Sequence, residues 1–175
     1  QMINEGIELI RDIVGTEVLG KQIEYVLVDN KSDKVEAANA ATRLIDKEKV
    51  VAIIGPAISG SMLSAGPICE EKKIPQISAT STNPLVTQGK KYSFRATFID
   101  SYQGLAAAQY AYVDLGAKSV AILSDIAQDY CVALGNFFKD AYEKLGGEVL
   151  TVQHCKSGDQ DFSAQLTTIM NLNPD

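Results

Sequence analysis

Apolar positions follow two rhythms along this chain. Short runs rich in β-branched residues predict strands at QIEYVLVD (22–29), VVAIIG (50–55), IPQISA (74–79), YSFRAT (92–97), SVAILS (119–124) and EVLTVQ (148–153). Between them the spacing lengthens to three and four. Residues 34–49 place Val35, Ala38, Ala41 and Ile45 on one helical face, with Asp33 as N-cap. A second helix, from about Ser61 to Lys73, turns Met62, Ala65, Ile68 and Cys69 inward. A third spans 100–116, capped by Asp100, with Leu105, Ala108, Tyr112 and Leu115 inward and Gly116 at its stop. The helix at 130–145 buries Leu134, Phe137, Phe138, Ala141 and Leu145, and a last helix covers 161–171.

Repeated strand–helix units of this kind predict an α/β fold, parallel sheets with helices on both faces. The fully apolar VVAIIG reads as a central strand covered on both sides. Both ends break the rhythm. The chain opens on a helix, MINEGIELIRDIV, with no strand before it, and closes on NLNPD where another strand is due. The expectation is a piece of a longer chain, with something removed upstream of Gln1.

Composition narrows the function classes. The chain has 175 residues, 46% hydrophobic and 22% charged, enough to bury a core. A formal net charge of −6 and no larger basic cluster than Lys72-Lys73 argue against nucleic acid. No run approaches the roughly 18 apolar residues of a membrane span, and residues 1–4 do not resemble a signal peptide. Cys69, Cys131 and Cys155 lack metal-ligand spacing, so neither a metal nor another cofactor is expected.

Ligands of open α/β sheets bind beyond the carboxyl ends of strands. Three loops lie there. Gly55 to Ser61 leads into a helix N-terminus, where backbone N–H groups and the helix dipole attract a carboxylate without any Arg. Ser59 or Ser61 could equally cap that helix. Ala79 to Pro84 carries Thr80 and Thr82, hydroxyls that can donate to a carboxylate and accept from an ammonium. Strand ends are also simply rich in Ser and Thr. Asp125 to Asp129 precedes Tyr130, an aromatic wall with one hydroxyl or a plain packing residue. Catalysis finds no support. The one His, His154, adjoins Cys155 on a strand, so the two point to opposite faces. GxSxG, P-loop and GxGxxG patterns are absent. The chain reads as a binder and not an enzyme.

The string VVAIIGPAISGSMLSAGPICEEKKIPQISATSTNP, then FRATFIDSYQG, GAKSVAILSDIAQDYC and GDQDFSAQL, resembles the substrate-binding proteins of branched-chain amino acid ABC transporters, which are type I periplasmic binding proteins. The resemblance runs from about Gly6 to Asp175. It implies a two-lobed fold closing over its ligand, with residues 1–100 in lobe one and 101–175 beginning lobe two. It places the family's binding serine at Ser59, the contacts to the ligand's ammonium and carboxylate at Thr80 and Thr82, and the binding aromatic at Tyr130. Tyr130-Cys131 stands where the family has Tyr-Gly.

The resemblance further implies no cofactor, capture of a small, branched-chain amino acid outside the cytoplasmic membrane, and delivery to a membrane permease. The same fold serves receptors and regulators, and related binders take amides or urea. It also implies a first strand lying before Gln1. Losing one from the middle of a parallel sheet exposes two rows of backbone groups. A strand from a second copy filling that gap, or poor order in lobe one, is the expectation.

Overall fold

The computed structural model describes residues 2–175. It is an α/β protein with two compact units. One takes in the chain up to Thr80 together with Lys90–Ala96; the other comprises Ser81–Gly89 and Thr97–Asp175.

The first unit holds α1 (Met2–Val14), a small antiparallel pair of β1 (Glu17–Val18) and β2 (Lys21–Gln22), α2 (Lys34–Asp46), β3 (Ile53–Ile54), α3 (Ser59–Lys72), β4 (Gln76–Ser78) and β5 (Ser93–Arg95). The last three strands form a parallel sheet in the order β3-β4-β5. Asp33 caps α2 as expected, its carboxylate accepting from the N–H groups of Val35 and Glu36 at 2.8 and 2.9 Å. Ala41 and Ile45 of α2 pack with Ile53, Ala65 and Cys69 into the core of this unit. The inward stripe of α2 starts at Ala37, whereas Val35 is exposed.

Two strands expected from sequence come out differently. Of 22–29 only Gln22 lies in a strand, paired with Glu17, and residues 23–30 join no sheet. A strand exists only through ladder bonds to a neighbour, and among the described residues 23–30 form no such ladder. For the same reason the VVAIIG run is no central strand. Only Ile53–Ile54 pair, β3 forms one edge of its sheet, and Val51 is 83% exposed.

The Glu70 carboxylate ties α3 to β5. It accepts from the N–H groups of Lys91 and Tyr92 at 2.9 and 2.7 Å and from Ser93 Oγ at 3.3 Å. Burial pushes this carboxyl up, but those three bonds and the nearby Lys90 charge together hold it below the usual range.

In the second unit a 3-10 turn (Pro84–Val86) precedes α4 (Asp100–Gln109), which continues as a π-helical turn over Tyr110–Asp114. Then come β6 (Ser119–Asp125), α5 (Asp129–Lys144), β7 (Glu148–Cys155) and α6 (Ser163–Leu172), with β6 and β7 parallel. The N-cap of α4 is Ile99, so Asp100 is its first residue and not its cap. The face of α4 against α5 carries Gly104 and Ala108, both buried, while Leu105 and Leu115, expected inside, are exposed. The helices meet backbone to backbone. A Cβ on Gly104 would stand 2.7 Å from Phe138 N and 2.8 Å from the Phe137 carbonyl carbon. Tyr142 is fully buried, stacked on Phe138 and edge-on to Tyr112, with its hydroxyl donating to Ala117 O at 2.8 Å.

Two outcomes follow from this packing. Gly104→Ala forces α4 off α5 and should destabilise the second unit by about 1–3 kcal/mol, read as a lower urea midpoint. Glu70 binds its proton less tightly folded than unfolded, so its stabilisation is present above the unfolded carboxyl value of about 4.3 and is lost as pH falls below it. Glu70→Gln should therefore flatten the fall in melting temperature between about pH 5 and pH 3, and an unchanged slope would show that the clamp is not felt.

Candidate functional site

The site residues expected from sequence lie beyond the carboxyl ends of parallel strands, Thr80 and Thr82 in a loop and Ser59 and Tyr130 in the first turns of helices. β3 and β4 run side by side in register, Ile54 opposite Ile77, so the loops leaving them emerge together. From β3 the chain passes Gly55-Pro56-Ala57-Ile58 into α3, with Ser59 as the first helical residue, 2% exposed. The N-cap is Ile58, and no side chain caps this helix. Neither Ser59 nor Ser61 stands at the N-cap of α3. Ser61 Oγ is buried and has no hydrogen-bond partner.

The loop leaving β4 is latched onto the loop leaving β3. Ser78 Oγ donates to Pro56 O at 2.8 Å, and Thr80 Oγ1 donates to Ala57 O at 2.7 Å. Ser78, one of the two latches, was not singled out from sequence. Its only signal there was its position at a strand end.

Thr82 and Tyr130 fall in the second unit, where a closed circuit of hydrogen bonds positions them. Asp100 N, at the start of α4, donates to Thr82 O at 2.9 Å. Asn83, next to Thr82, accepts from Leu85 N at 3.0 Å and donates through Nδ2 to Asp129 O at 3.3 Å. Asp129 is the first residue of α5 and Tyr130 the second. From α4, Gln103 Nε2 donates to the Tyr130 hydroxyl at 3.1 Å. Thr82 is buried and Tyr130 half-buried. Ser59 and Thr80 thus share the first unit, Thr82 and Tyr130 the second.

The loop after β6 is fixed by Asp125, whose carboxylate accepts from Ser157 Oγ and Ala127 N, two bonds that hold it below the usual range. Burial, and after it the Asp125 charge, push the Cys131 thiol up, so it stays protonated at neutral pH. A protonated thiol and a lone His on β7 offer no activated nucleophile. The chemistry here is neutral hydrogen bonding.

The sequence profile described as periplasmic binding protein matches residues 3–175. This chain belongs to the periplasmic binding protein family. Members of this family and the relatives below bind solutes and are not enzymes. An amino acid binding protein of Pseudomonas aeruginosa is 32% identical over 151 residues, which is 86% of this chain and 40% of the relative. A leucine binding protein from Thermotoga maritima superposes with a TM-score of 0.95 at 52% identity, covering 99% of this chain and 49% of that one. The branched-chain amino acid transporter substrate binding protein of Streptococcus pneumoniae, solved with isoleucine, gives 0.89 at 36% identity, covering 98% and 49%. The chain therefore spans less than half the length of these relatives. Among the described residues no helix is long and apolar enough to cross a membrane.

Asn83 holds two elements at once, so Asn83→Ala should cost about 1–2 kcal/mol in urea unfolding. It should also speed hydrogen exchange at the start of α5; unchanged exchange there would remove Asn83 from the circuit.

Proposed function

We propose that this chain is the part of an extracytoplasmic solute-binding protein that grips the charged head of a small amino acid, a branched-chain one by the likeness to the leucine- and isoleucine-binding relatives. The observation that supports it most is the Thr80 latch. Thr80 Oγ1 spends its proton on Ala57 O, which leaves the oxygen only as an acceptor, suited to an ammonium. Beside it, α3 begins with no side-chain cap, so its first N–H groups and dipole suit a carboxylate. An acceptor and a set of donors with no formal charge match a zwitterion and favour neither a cation nor an anion alone.

Within this proposal Ser59, Thr80, Thr82 and Tyr130 contact the ligand, residues 1–100 serve as lobe one and 101–175 as the start of lobe two, and closure of the lobes presents the loaded protein to the permease of an ABC transporter. A second copy lending a strand beside β3 belongs to the same proposal.

Native mass spectrometry of the purified chain with L-leucine, L-isoleucine and L-valine tests both points in one run. The proposal expects a 1:1 amino-acid adduct that Thr82→Val removes, and a dimer that persists at low micromolar concentration. Failure of every free amino acid to bind would overturn the function, and a monomer alone would overturn the strand exchange.

A further inference from the structure

We propose that Gln103 is a positioning residue for ligand capture, holding the Tyr130 hydroxyl as a hydrogen-bond donor; this rests on the amino-acid-binding reading above. A tyrosine hydroxyl has one proton and two lone pairs. Gln103 Nε2 carries only N–H donors, so in donating to Tyr130 at 3.1 Å it occupies a lone pair and turns the phenol proton outward, toward another acceptor. A carboxylate is the ligand group that a committed donor suits.

The geometry that makes this possible is built into the helix pair. Gly104 lets α4 and α5 touch through their backbones, which brings the adjacent Gln103 within reach of the second residue of α5. Asp100, three residues earlier, is tied to Thr82 O, and Asn83 is tied to Asp129 O. Gln103 therefore completes the circuit that connects Thr82 to Tyr130. Without it the phenol ring can rotate its proton toward the α4 side.

Two variants with opposite hydrogen-bond character test the proposal by calorimetric titration with L-leucine. Gln103→Leu removes the donor, and Gln103→Glu, nearly the same size, replaces it with an acceptor that takes the Tyr130 proton. Each should weaken leucine binding about tenfold, the worth of one oriented hydrogen bond. Neither should weaken it further in a Tyr130→Phe background, a coupling that a merely structural role would not produce. If Gln103→Glu binds leucine as the unmodified chain does, or if the losses simply add to that of Tyr130→Phe, the proposal is overturned. If the unmodified chain binds no amino acid, the function reading fails and this inference falls with it.

Discussion

The arrangement depends on the hydroxyl-to-carbonyl latch between adjacent strand ends. Ser78 and Thr80 reach from the loop after β4 to the carbonyls of Pro56 and Ala57 in the loop after β3. Each bond contributes only about 1 kcal/mol of net stability. Their larger consequence is orientation. They hold the entrance to α3 against its neighbour, so its N-terminal N–H groups are presented without a capping side chain and Thr80 is left with lone pairs only. A site of neutral groups can bind a zwitterion only if those groups are already aimed, because none has the charge to reorganise its surroundings on arrival.

The second unit solves the same problem with helices. Small residues at Gly104 and Ala108 let α4 sit directly on α5, and the contact sets where Gln103 meets Tyr130. The buried Tyr142 anchors the far end of α5 through Ala117 O. Packing thus fixes an axis, and a few polar side chains set the rotation of one phenol at its end.

Much of this was legible in the sequence. Period located α2, α3, α5 and α6, and capping the start of α2, while Ser59, Thr80, Thr82 and Tyr130 came as ligand contacts from the family resemblance. The α/β class and the family followed from the same motifs. What failed were properties that belong to pairs of elements. Residues 22–29 have the composition of a strand, yet a strand needs a ladder, and 23–30 form none among the described residues. VVAIIG reads as central because its residues are apolar, but burial on both faces is a property of what surrounds it. Leu105 lies on the wrong side of α4 because the close approach at Gly104 turns a stripe of small residues inward, against the rule that large apolar residues mark the core. Gln103, Ser78 and Asn83 lie within the strings that carry the family resemblance, but nothing in those strings marks their hydrogen bonds. Their roles exist only through partners distant in the chain.

In the proposed function the latched loops bind an amino acid by its head, ammonium to acceptor and carboxylate to helix N-terminus. A crystal structure grown in L-leucine tests this most directly. The expected result is the ligand's ammonium within hydrogen-bond distance of Thr80 Oγ1 and its carboxylate over the first N–H groups of α3. Leucine bound through a Lys or Arg side chain, or held away from the loops after β3 and β4, would contradict it.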